Sequence, residues 1–286
     1  MTPFQIWRRR FCSGLPTVLG LNVQGFFIPY RYAGAVSPPD ANTGYPAIQA
    51  IFDAAETNFR DWLRRLDSHA DGLLAIAADA PAPAPRWAQD WFPRLDAAML
   101  YTMVRHCAPR RIVEIGSGHS TRFIARAIAD GGLDTAVLAI DPAPRAVLDG
   151  LPGLTLDRRT VQDAGPDAFA GLESGDILCV DSSHILVPGS DVDLILNTVL
   201  PSLPPGALVH FHDIFLPDGY PAAWRWRGYN EQLGVAAVLP GGAWEVMFAS
   251  HHVVTRMAGA VRDSVVSRLP IPAGALESGL WLRRRA

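Results

Sequence analysis

The stretch Arg111-Ile112-Val113-Glu114-Ile115-Gly116-Ser117-Gly118-His119-Ser120-Thr121 decides how this chain is read. A short β-branched run closes on Gly-Ser-Gly and passes into a helical period. A strand running through Gly-x-Gly into a helix lets backbone approach a ligand closely and aims free helix N–H groups at it. Asp141 ends the next β-branched run, 23 residues beyond Gly118. That is near the ~20-residue spacing of a carboxylate that grips a ribose diol. A ligand containing a nucleoside is therefore expected.

Two readings of this turn are disfavoured by its residues. A dinucleotide fingerprint needs a third glycine where Thr121 stands. It also has no use for Glu114, whose charge would repel a pyrophosphate and favour a cation. A nucleophile elbow needs glycine where Arg122 follows Ser120 and Thr121.

Outward from the turn, strands and helices alternate. Strands are expected at Arg111–Ile115, Ala136–Ile140, Leu154–Arg158, Ile177–Val180 and Ala207–Phe211, with two more at Trp244–Ala249 and Gly279–Leu282. Helices are expected at Thr121–Ala129, Val192–Leu200 and Pro221–Leu239. Five strands separated by helices imply a parallel doubly wound α/β sheet, and the last two strands can pair as a hairpin-like edge. Before the sheet, Ile48, Ile51, Phe52, Ala55, Phe59, Trp62, Leu63 and Leu66 form one helical stripe, and Leu95–Arg105 fits a second helix. Between them, Ala80–Pro85 (APAPAP) reads as a stiff polyproline-like linker. Residues 1–46 read as irregular and aromatic-rich, with Gly25–Ala33 (GFFIPYRYA) prominent. We expect an N-terminal helical extension over 1–86 and a catalytic domain over 87–286.

Composition narrows the chemistry. All 25 basic residues of the 286 are Arg. Without Lys there is no Walker phosphate loop, no Schiff-base chemistry and no protein-kinase site. A net charge of −3 argues against a nucleic-acid partner. Cys12, Cys107 and Cys179 are scattered and read as buried thiols in a reducing, cytoplasmic compartment. Arg8-Arg9-Arg10-Phe11 hints at a twin-arginine signal, but Pro16, Asn22 and Gln24 interrupt the run that follows. No stretch reaches the length of a membrane span.

The pattern E-x-G-x-G at Glu114–Gly118 resembles motif I of the class I S-adenosylmethionine (SAM)-dependent methyltransferases. The likeness extends over about residues 90–286. Asp141-Pro142 resembles the family's acid after the second strand. Val161, Gln162 and Asp163 fall where the family's third-strand loop meets adenine. Cys179–His184 (CVDSSH) resembles motif IV, and Leu203–Val209 the turn into the fifth strand. The resemblance implies a Rossmann-like, seven-stranded sheet whose last strand is antiparallel and inserted between strands five and six. It also implies SAM held by Glu114, Gly116, Ser117, Gly118, Ser120, Thr121, Asp141, Val161, Gln162, Asp163 and Asp181. Within the family, Asp-Ser-Ser-His followed by His-Asp-Ile-Phe-Leu-Pro is similar to a bacterial branch of sugar and antibiotic O-methyltransferases. The expected partners are a small-molecule acceptor and, in a homodimer, a second copy. An NAD-dependent oxidoreductase and a non-catalytic SAM-binding protein are the alternatives.

Ligands of an open α/β sheet sit at the carboxyl ends of its strands. Five of the eight histidines fall there: His184, His210, His212, His251 and His252, with Asp181 and Asp213 among them. Methylation of a hydroxyl needs its proton removed. Histidine suits that role, with an aspartate to orient it. We expect His184 or His212 as base and Asp213 or Asp181 as its orienter. If a divalent metal takes part, the resemblance places it on Asp181, His212 and Asp213, although His212 departs from the oxygen ligands that Mg²⁺ prefers. Tyr30, Arg31 and Tyr32 can line an acceptor pocket or strap the core. Trp224, Trp226 and Tyr229 lie on the acceptor side and read mainly as packing. Arg122 and Arg145 read as solvated.

Overall fold

The computed structural model describes residues 2–36 and 44–286. Among these, seven strands form one sheet: β1 (Arg111–Ile115), β2 (Ala136–Ile140), β3 (Leu154–Asp157), β4 (Ile177–Val180), β5 (Leu208–Phe211), β6 (Trp244–Ala249) and β7 (Leu280–Arg284). Their order is β3-β2-β1-β4-β5-β7-β6. The first five pair in parallel, and β7 is antiparallel to both β5 and β6. The last two strands therefore pair, but β7 is inserted between β5 and β6, and β6 forms the edge. Strands β4 and β5 are buried throughout, as continuous apolar runs covered on both faces require.

Helices Arg94–Cys107 and His119–Gly131 pack on each other beside the sheet. Helix Pro46–Asp67 lies on β6, with Phe52, Phe59, Trp62 and Leu66 buried in the same core as the sheet. Asn58 Nδ2 donates to the carbonyls of Val246 and Met247, at the bulge where β6 slips against β7.

Several local expectations are corrected. Ala80–Pro85 is a closed excursion, because the N–H groups of Trp87 and Ala88 return to the carbonyls of Ala77 and Ala78. Pro221–Leu239 is two helices, Ala222–Arg227 and Glu231–Val238, separated at Gly228 in the left-handed region (φ 71°). Within 1–46, residues 3–18 are helical, started by a capping box between Thr2 and Gln5 with Pro3 in the first turn. Residues 37–43 lie outside the described part. Cys107 is half-buried and Cys179 buried as expected of core thiols, but Cys12 is exposed. Arg122 is buried, and it donates from Nε and Nη2 to the Val147 carbonyl.

Candidate active site

Hydrogen bonds between successive strand ends set the site in a row. Asp141 N donates to Asp157 O, Gly116 N to Ile140 O, Asp181 N to Ile115 O, and His212 N to Val180 O. Each strand thus delivers its first loop residue to the same carboxyl edge of the sheet.

The first half of the site is the glycine turn. Gly116 has φ 76°, and a Cβ on it would lie 2.2 Å from the carbonyl oxygen of Asp181. Only glycine lets the turn after β1 press against the loop after β4. Gly118 differs: a Cβ there would meet nothing within 4 Å. It lines open space above the turn. Ser117 donates from both N and Oγ to Asp141 Oδ2 (2.9 and 2.8 Å), and Asp141 Oδ1 accepts from Ala143 N.

Glu114 is buried below the turn. Its two oxygens accept from Ser120 Oγ (2.5 Å) and Thr121 Oγ1 (2.6 Å), and Thr121 Oγ1 accepts in turn from Gly118 N. Burial pushes Glu114 up to about 7, against the two hydroxyl donors that lower it. Glu114, Ser120 and Thr121, expected as ligand contacts, hydrogen-bond one another and hold the turn's shape. His119 opens the helix after the turn. Its Nδ1 is buried without a partner, and burial, then Arg122 and Arg86, bring it down to about 4, so it is neutral. The open space at Gly118 has room for a bound ligand.

Of the adenine-side residues, Val161 is buried and starts a short helix capped by Thr160. Asp163 Oδ2 accepts from Thr160 Oγ1, and Gln162 reaches Gly189 O.

The second half gathers residues from β4, β5 and their loops. His184 Nε2 lies 3.3 Å from Asp181 Oδ1 and 3.5 Å from Asp213 Oδ2. His212 Nδ1 lies 3.6 Å from Asp181 Oδ1 and 3.6 Å from Asp213 Oδ1. Two imidazoles and two carboxylates therefore alternate around a ring. His184 (φ 61°) and Asp213 (φ 57°) both adopt left-handed backbone, a strain that non-glycine residues keep where the surrounding structure demands it. The ring is closed in except at Asp181, whose side chain is 42% exposed.

Each imidazole also turns its far nitrogen to a fully buried acid. His184 Nδ1 donates to Glu231 Oε2 (2.8 Å), whose other oxygen accepts from Ser182 Oγ. His212 Nε2 faces Asp96 Oδ2 at 3.5 Å, and Asp96 accepts from the backbone N–H groups of Ser278 and Gly279. Burial alone would lower both histidines. The surrounding carboxylates outweigh it and hold each well above its ordinary value. For Asp181 burial works upward, and the two imidazoles overcome it to hold the carboxyl below the usual range.

Glu231 and Asp96 were not among the expected site residues. The one signal for Asp96 was a lone acid among Leu95, Ala97, Ala98 and Met99; Glu231 gave none. His210 sits beneath the ring, neutral and held to about 3 by burial and by the charge of His212. His251 pairs with Asp218 and His252 with Glu56. The structure thus brings together Asp181, His184, His212 and Asp213 and sets His251 and His252 on other partners. Tyr229 lies over His184, ring centroids 4.4 Å apart, and Trp224 and Tyr220 pack edge-on against Tyr229.

The sheet order, with its inserted antiparallel strand, defines the class I methyltransferase architecture. Residues 113–214 match the model of the family described as methyltransferase domain, a stretch that runs from the glycine turn through Asp213. That stretch is a methyltransferase domain. No curated protein matches the chain. Among solved structures it is similar to three methyltransferase-fold chains. The O-methyltransferase TomG from Streptomyces achromogenes, involved in tomaymycin synthesis and solved with SAM, is 14% identical (79% of this chain, 90% of that one, TM-score 0.43). The O-methyltransferase from Bacillus cereus in complex with SAH (S-adenosylhomocysteine) is 11% identical (86% and 100%, TM-score 0.44). The protein cmcI, solved with magnesium and SAM, is 18% identical (74% and 88%, TM-score 0.41).

Proposed function

We propose that this methyltransferase moves the methyl group of SAM to a hydroxyl oxygen of a small molecule. The observation that carries the reading is the contact of the two half-sites. The glycine turn that would hold the donor touches the backbone of Asp181, and Asp181 is the one accessible member of the acid–imidazole ring. A hydroxyl reaching Asp181 lies beside the donor and beside His184 and His212, either of which takes its proton once it has released the one the carboxylates hold on it.

SAM supplies a sulfonium-bound methyl as electrophile. The open cradle at Gly118, the unpartnered His119 and the Asp141 loop are the residues that would hold it. Within the ring, Glu231 fixes the rotation of His184 by a hydrogen bond, and Asp96 faces His212 Nε2 at 3.5 Å. Tyr229, with Trp224 and Tyr220 edge-on against it, offers an aromatic corner that an acceptor ring would use. Arg9 stacking on Trp226 and Tyr45 N donating to Pro217 O are two points where residues before 87 reach this side.

By donor type Asp181, His184, His212 and Asp213 resemble a divalent-cation site, but as placed their ligand atoms do not converge on one point, whereas those of Asp53, Glu56 and His252 do. Two imidazoles with two carboxylates suit Mn²⁺, Fe²⁺, Co²⁺ or Zn²⁺ better than Mg²⁺. A carboxylate behind each imidazole is the arrangement that orients ligating histidines.

The test is SAH formation from SAM with phenolic, sugar and polyketide-like acceptors. His184→Asn and His212→Asn should each slow turnover by about 10²–10⁴-fold while SAM still binds. Full turnover in both variants would remove the ring from the reaction.

A further inference from the structure

The catalytic reading gives the first 36 residues no task beyond the contact of Arg9 with Trp226, and they are unlike the rest of the chain. Of 19 large apolar side chains exposed among the described residues, 14 lie between Phe4 and Val36. The other five, Trp91, Val147, Leu233, Ile271 and Leu276, are scattered over the remaining 243 described residues. Residues 1–36 carry four arginines and no acid, while residues 37–286 carry 21 basic and 28 acidic residues.

Helix 3–18 is turned with its apolar face away from the protein. Phe4 stacks on Trp7 (centroids 6.2 Å apart), Trp7 on Phe11 (5.4 Å), and Leu15 and Val18 continue at helical spacing. The three rings are each more than half exposed. On the other face Arg9 contacts the body, its guanidinium over Trp226 at 5.2 Å. An amphipathic helix that only packs on its own core does the reverse, burying its apolar stripe. Beyond it, Phe26, Phe27, Ile28, Tyr30 and Tyr32 expose a second apolar stretch around Arg31.

We propose that residues 3–32 form an interfacial arm that seats the enzyme on an anionic lipid surface. The chemistry matches on each count. An aromatic stripe with Trp inserts at the headgroup boundary, and arginines beside it meet anionic headgroups. Arg8 and Arg10 adjoin the stripe in sequence, and no carboxylate in the arm opposes them. Two such arms brought face to face would place like charges together, which disfavours a second copy as the occupant. The inference does not depend on the acceptor or on the ring chemistry.

The experiment is co-sedimentation of the full chain with vesicles of equimolar phosphatidylglycerol and phosphatidylcholine, and with vesicles of phosphatidylcholine alone. The arm predicts at least about tenfold stronger partition to the anionic vesicles, weakening as salt rises from about 0.1 M to about 0.5 M. Trp7→Glu with Phe11→Glu, and separately Arg8→Glu with Arg10→Glu, should each reduce that partition about tenfold or more. Both pairs are exposed, so the melting temperature should hold, and the second pair tests charge if the first perturbs the helix. Equal partition to the two vesicle types would overturn the proposal, as would unchanged partition in both variants. So would light scattering that finds a dimer dissolved by the Trp7/Phe11 pair, which would assign the stripe to a second copy.

Discussion

Glu231 Oε2 accepts from His184 Nδ1 at 2.8 Å, with both side chains buried, so the imidazole that faces Asp181 and Asp213 is held from behind. Glu231→Gln keeps the shape and removes the charge. It should reduce kcat by about 10–100-fold, the usual effect of losing a carboxylate behind a working histidine, while SAM affinity stays the same. The pH–rate profile of the variant should also shift, because His184 loses part of what holds its proton. A purely structural role for Glu231 would lower the melting temperature and leave that profile in place.

Gly116 and Gly118 separate fold from ligand. Gly116→Ala places a methyl 2.2 Å from a backbone oxygen at a left-handed φ, and should destabilise the protein by about 2–4 kcal/mol. Gly118→Ala meets no protein atom, and its φ of 172° is ordinary extended backbone. It should melt like the wild type and bind SAM at least about tenfold more weakly, about 1.4 kcal/mol. Thermal melting and titration calorimetry on the two variants check both statements.

The strand ends and the glycine turn were legible because their signals are local. A β-branched run closing on Gly-Ser-Gly, and acids or histidines just past such runs, need only a few neighbouring residues to be recognised. Asp141, Asp181, His212 and Asp213 were found that way. Glu231 and Asp96 meet His184 and His212 across 47 and 116 residues of sequence, so no spacing rule pairs them. The inward turn of Arg122 was equally hidden, because its acceptor, the Val147 carbonyl, lies in a loop 25 residues away. The break at Gly228 lies inside a stretch whose apolar period reads as one helix.

Stability should fall on the alkaline side. His184 and His212 have raised values in the folded protein, so the stability they contribute is complete below the ordinary histidine value of 6.5 and is lost as pH rises through their folded values. Glu114, raised to about 7, acts in the same direction between the ordinary carboxylate range and neutrality. Melting temperature should therefore decline above about pH 6.5. His184→Asn with His212→Asn should flatten that decline. A wild-type melting temperature that climbs from pH 6.5 to 9 would contradict the assigned ion pairs.

The most direct test of the central claim follows the methyl group. SAM carrying an isotopically labelled methyl is incubated with wild type, Asp181→Asn and His212→Asn and a panel of hydroxylated acceptors, and product is read by mass spectrometry. The account predicts labelled methyl on an acceptor oxygen with one SAH formed per transfer, and rates lower by about 10²-fold or more in the variants. Label on carbon or nitrogen alone, or equal rates in all three proteins, would contradict it.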